Sequence, residues 1–153
     1  MSKREEINSA LKTAMKEKDQ ITLSTTRLIN AALKDRDINA RGSGNAEGIS
    51  DSEILSMLQS MIKQRLESAK TYADAGRPEL AEREEAEIKV IESFLPKQMS
   101  DEDVAAAIDK IISESGAADI KAMGKVMAEL KTQYAGQMDM GKAGGLVKQK
   151  LAG

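Results

Sequence analysis

Cysteine, histidine and tryptophan are all missing from this 153-residue chain, and what they exclude narrows its chemistry. Without Cys there is no disulfide and no thiolate nucleophile. Without His there is no imidazole ligand and no Ser-His or Cys-His catalytic arrangement. Proline occurs at Pro78 and Pro96 alone, and the aromatic residues are Tyr72, Phe94 and Tyr134. No run approaches the roughly 18 apolar residues that span a bilayer. The opening Met1-Ser2-Lys3-Arg4-Glu5-Glu6 lacks the apolar core of a signal peptide. A cytoplasmic monomer without membrane contact is the expectation, and no metal or cofactor site is predicted.

What is present is helix-forming. Apolar residues make up 41% and charged residues 31%, with 23 Lys and Arg against 25 Asp and Glu, net −2. That balance suits a folded chain and gives no global mark of nucleic-acid binding. Ala, Leu, Met, Glu and Lys dominate and no strand alternation competes, so the predicted class is all-α. Ser2 with Glu5 reads as a capping box before Ile7, Leu11 and Met15. Asp19 caps a second helix whose apolar residues include Ile21, Leu28, Ile29, Ala32 and Leu33. Arg41 to Gly48 holds three glycines and no apolar period, so a loop is expected there.

Ser50 with Glu53 opens a long helix that Gly76 ends, and Pro78 starts another that stops at Pro96. Capping signals restart at Ser100. The expected organisation is therefore two helical domains, residues 1–96 with a helical hairpin and residues 97–153 with three short helices.

On the third helix Arg65 falls inside the apolar face, about 20° from Ile54 at 100° per residue. Glu84 and Glu87 intrude likewise on the fourth, and an antiparallel turn near Gly76 brings position 65 opposite roughly position 88. A structural ion pair of Arg65 with Glu84 or Glu87 is expected. A catalytic carboxylate pair would need a nucleophile or metal motif beside it. On the second helix Arg27, Asn30 and Lys34 share a side as a secondary polar contact site, the other reading being an ordinary solvated face.

Charge separates towards the end of the chain. Residues 97–119 carry two Lys against six Asp or Glu, net −4, whereas residues 120–153 carry six Lys against Glu129 and Asp139, net +4. Lysines on short helices flanked by Gly124, Gly141, Gly144 and Gly145 suit phosphate contacts, which need charge and access but no base reading. A solvated basic face has the same pattern.

Four segments in order, Thr26 to Lys34, Gly76-Arg77-Pro78-Glu79-Leu80 with Glu84-x-x-Glu87-Ile88, Phe94-Leu95-Pro96-Lys97-Gln98 and Met123-Gly124-Lys125-Val126-Met127, resemble the GatB/YqeY family. The chain is similar to its stand-alone YqeY-like members over almost its whole length. The resemblance implies an all-helical fold related to the tail of the B subunit of glutamyl/aspartyl-tRNA amidotransferase, a region associated with tRNA recognition. The glutamine-dependent amidase and ATP-using portions of that enzyme have no counterpart here. Carried over residue by residue, the basic motif falls on Lys121, Gly124 and Lys125, with Lys142 and Lys148 as extensions. The implied function is a non-catalytic tRNA-associated or RNA-binding accessory protein. The alternative is an adaptor that binds a protein of a tRNA-enzyme or translation complex through its helical first domain.

Overall fold

The computed structural model describes residues 2–152, which form seven α-helices, one 3-10 turn and no strand. The helices are α1 (Lys3–Glu17), α2 (Gln20–Gly42), α3 (Asp51–Asp74), α4 (Pro78–Glu92), α5 (Asp101–Ser115), α6 (Met123–Gln133) and α7 (Met140–Ala152), and Ile120–Ala122 is the 3-10 turn. The chain divides into two compact units, Met1–Leu95 and Pro96–Gly153. None of the helices is long and apolar enough to cross a membrane.

In the first unit the helix starts follow local chemistry. The Ser2 hydroxyl accepts from the Glu5 amide and the Glu5 carboxylate accepts from the Ser2 amide, at 3.2 and 3.0 Å. Ser50 and Glu53 repeat the box at α3. Gly76, at φ 74°, turns the chain between α3 and α4, a left-handed geometry that glycine adopts without a Cβ clash. Pro78 then fills the first position of α4, where its missing N–H loses no helix bond. Ile7, Ile29, Leu33, Ile54, Met57, Leu58, Met61, Ile91 and Phe94 make the core.

Asp19 caps α2 through the amide and hydroxyl of Thr22, at 3.1 and 2.7 Å. The Thr22 hydroxyl first, and its amide second, hold the Asp19 carboxyl below its ordinary range. A depressed carboxyl contributes stability that is present above its ordinary pKa and is lost as pH falls through the lowered one. The amide proton of Thr22, followed by NMR through an acid titration, should therefore shift with a midpoint below that of an ordinary aspartate. A midpoint at or above that value would mean the cap is not made in solution.

The buried face of α2 is Thr25, Thr26, Ile29, Leu33 and Asp37, which corrects the expected inward set. Ile21 and Leu28 are 38% and 46% exposed. At 100° per residue the buried set spans the arc from Thr25 to Asp37, and Leu28 falls about 60° outside it. Thr26 is admitted to the core because its hydroxyl donates to the Thr22 carbonyl at 2.7 Å, one turn back. Met15, also expected on an apolar face, is exposed.

Helix α2 runs two residues into the expected loop, to Gly42. The connection that follows is held by its own bonds. Arg41 Nε donates to the Ala46 carbonyl at 3.2 Å and Asn45 Nδ2 to the Gly48 carbonyl at 2.7 Å. It is tied to the helices through Asp37, whose Oδ1 accepts from Arg4 Nη2 at 2.6 Å and from the Ile49 amide at 2.9 Å. Arg4 Nη2 also donates to the Ile49 carbonyl at 2.8 Å.

In the second unit Ser100 caps α5 and Gly116, at φ 69°, ends it. Ile108, Ile111, Val126, Leu130, Met138, Ala143, Val147 and Leu151 form its core. The inward residues of α6 are Val126 and Leu130, with Met123 and Met127 packed at the edge and Ile120 43% exposed. The Met99 amide donates to the Gln137 carbonyl at 2.9 Å and Gln98 Nε2 to the Gly136 carbonyl at 2.7 Å. These two bonds fasten the segment before α5 to the α6–α7 connection.

Candidate nucleic-acid interface

Between α3 and α4, Arg65 Nε donates to Glu87 Oε2 at 3.1 Å and Arg65 Nη1 to the Met61 carbonyl at 3.1 Å. The two side chains are 13% and 10% exposed. Glu87 is also 3.9 Å from the exposed Arg83, whereas Glu84 makes no ion pair among the described residues. Both guanidinium bonds are directed to the hairpin itself, and the one to Glu87 joins α3 to α4.

Arg27 and Lys34 are exposed on α2, and neither makes an ion pair among the described residues. Asn30 lies between them and donates to Asn8 Oδ1 of α1 at 3.4 Å. It is therefore drawn into the α1–α2 contact, with the two cations left facing solvent.

Two lysines of the second unit, Lys125 and Lys142, line different depressions. Lys121 sits in the 3-10 turn, where the Asp119 carboxylate accepts from its amide at 3.0 Å and leaves its ammonium exposed. Lys125 lies in a depression between α5 and α6 that it shares with Glu114 and Glu129. Lys142 lies in a different one, with Gln98, Asp101 and Asp139. Lys148 is exposed one turn beyond Gly144, where a Cβ would meet the methyl groups of Met127 and Met123 at 3.7 and 3.9 Å. None of these four ammonium groups has an ion-pair partner among the described residues, whereas Lys150 is held by Asp109 at 2.7 Å. Lys131 is likewise exposed and unpaired. In the sequence it entered only through the net charge, because no motif marks it. A Cβ at Gly124 or Gly145 would meet open space. These glycines therefore expose the helix surface and do not serve tight packing.

Fold and charge define an all-α protein whose second unit carries unpaired lysines on short, glycine-interrupted helices. The chain belongs to the YqeY-like protein family, whose model matches residues 4–151. Among curated proteins it is similar to altered inheritance of mitochondria protein 41, mitochondrial, of Lachancea thermotolerans, at 27% identity over 68% of this chain and 54% of the relative. The protein of that name from Meyerozyma guilliermondii is 38% identical over 56% of this chain and 42% of the relative. That from Pyrenophora tritici-repentis is 30% identical over 82% of this chain and 69% of the relative. The chain thus spans about half the length of the first two relatives. These names overturn the cytoplasmic location expected from the sequence, since each relative is called mitochondrial. The physical reason is plain: lacking an apolar segment excludes a bilayer-spanning helix and says nothing about which compartment holds the protein.

Proposed function

We propose that this chain is a non-catalytic accessory protein that binds tRNA-like RNA through the phosphate backbone. The observation that carries the reading is the second unit's set of exposed, unpaired lysines, Lys121, Lys125, Lys142 and Lys148, in a segment of net charge +4. The resemblance to a tRNA-recognising amidotransferase tail supports the same reading. Ammonium groups in separate depressions suit phosphates spaced along a folded RNA, whose shape then matters more than its sequence. Glu114 and Glu129 beside Lys125 oppose a phosphate there, so Lys121 is the stronger contact.

Titration of purified protein with tRNA at two salt concentrations tests this. Affinity should be micromolar or weaker, and each lost contact should reduce the steepness of the salt dependence by about one unit. Lys121→Gln should weaken binding more than Lys125→Gln, and the double variant should bind least with unchanged helicity. Equal affinity of wild type and double variant would make these lysines solvated surface.

A further inference from the structure

The described residues expose six large apolar side chains, Met15, Ile21, Leu28, Ile38, Leu66 and Ile120, and three of them lie on α2. Positions 21, 28 and 35 and positions 24, 31 and 38 are two seven-residue series that together make one stripe along a helix. In α2 the stripe reads Ile21, Ser24, Leu28, Ala31, Asp35 and Ile38. It lies outside the buried set of Thr25, Thr26, Ile29, Leu33 and Asp37, and its aliphatic members are 38%, 46% and 53% exposed. From Ile21 to Ile38 it runs about 25 Å at 1.5 Å per residue.

The flank is as regular as the stripe. Arg27, Lys34 and Arg41 recur at seven-residue intervals along one edge, while the other edge has the neutral Ala32 and Asn39. Among the described residues only Arg41 has a modest tie, the Nε bond to the Ala46 carbonyl. At the far end Ile21 and Ser24 line a depression with Glu79, Glu82 and Arg83 of α4, so the cationic edge covers residues 27–41 and stops short of that end.

We propose that this face of α2 docks an amphipathic helix of a partner protein, with aliphatic residues on its seam and Asp or Glu along the side that meets Arg27, Lys34 and Arg41. Charges flanking an apolar seam select partners in paired helices. Glu79 and Glu82 give the match a direction, because the partner's end over Ile21 must be neutral or basic. Asp35 within the seam calls for a polar or basic residue opposite. A second copy of this chain is disfavoured, since antiparallel pairing sets the two cationic edges against each other and parallel pairing sets Asp35 against Asp35. RNA would engage the cations but leave Leu28 and Ile38 uncovered and bring phosphates to Asp35. The inference is independent of the RNA reading, which concerns the other unit.

The probe is a fluorescent three-heptad synthetic peptide with leucine along the seam except for a lysine opposite Asp35, glutamate on the flank that meets Arg27, Lys34 and Arg41, and glutamine at the end over Ile21, titrated against the full chain by anisotropy. Its twin carries lysine on that flank. The acidic peptide should bind at least tenfold more tightly than the basic one. Leu28→Gln/Ile38→Gln should lose at least tenfold, and Arg27→Glu/Lys34→Glu should reverse the preference between the peptides. Ala31→Glu changes an exposed alanine without removing a packed atom, so it should weaken the acidic peptide even where a double variant folds poorly. Transfer RNA affinity should be unchanged in Leu28→Gln/Ile38→Gln, which alters no charge. Equal binding of the two peptides, or binding indifferent to both Leu28→Gln/Ile38→Gln and Ala31→Glu, overturns the proposal. So does loss, in the same variants, of tRNA binding, of phosphatidylserine-vesicle binding or of a homodimer in sedimentation while peptide binding persists.

Discussion

Asp37→Ala should destabilise the first unit by about 2 to 4 kcal/mol, because this carboxylate lies one turn beyond Leu33 on the buried face of α2. One carboxylate oxygen accepts from both Arg4 Nη2 and the Ile49 amide, at 2.6 and 2.9 Å, and so ties α1, α2 and the segment before α3 together. Removing it strands a part-buried N–H and leaves Arg4 its bond to the Ile49 carbonyl; Arg4 Nη1 already has no partner among the described residues. Gly48 belongs to the same arrangement. Its φ is 84°, and a Cβ there would stand 2.3 Å from Asp37 Oδ1. Gly48→Ala should thus be strained in its backbone and displace the carboxylate as well. The double variant should cost less than the sum of the singles because both disturb one network. Urea denaturation followed by circular dichroism, with hydrogen exchange of peptides from residues 37–50, measures this. A loss below about 0.5 kcal/mol for Asp37→Ala, the range of an ordinary surface change, would show that the bonds are not formed in solution.

Arg65→Met should cost about 3 kcal/mol by leaving the Glu87 carboxylate uncompensated between α3 and α4. Glu87 is only 10% exposed, and its other cation, Arg83, stands 3.9 Å away in solvent. Glu87→Leu should cost a similar amount by orphaning the guanidinium, which keeps just its bond to the Met61 carbonyl. Arg65→Met combined with Glu87→Leu should regain much of the loss, since apolar groups of similar size replace both charges and no unpaired ion remains. The comparison rests on denaturation midpoints of the four proteins. If the double variant loses as much as the two singles added together, the charges are not coupled and the pair is not the register device.

The sequence by itself determined what local chemistry controls. Ser2 with Glu5, Asp19 with Thr22, Ser50 with Glu53 and Ser100 with Asp103 each act within one helical turn, so a short window contains both donor and acceptor. The all-α class followed from composition and capping for the same reason. Arg65 and Glu87 could be matched because one glycine turn at Gly76 fixes the register of the hairpin joining them. The tertiary structure alone decided which of two apolar arcs of α2 is buried, because Leu28 and Ile29 are equally apolar and only the packed helices select between them. It alone joined Arg4 to Asp37 across 33 residues of chain. It alone set Lys125 and Lys142 in different depressions, each beside carboxylates from another helix or connection. Net charge along a segment carries no record of direction. The direction of a side chain comes from the helix it is on and from what that helix packs against.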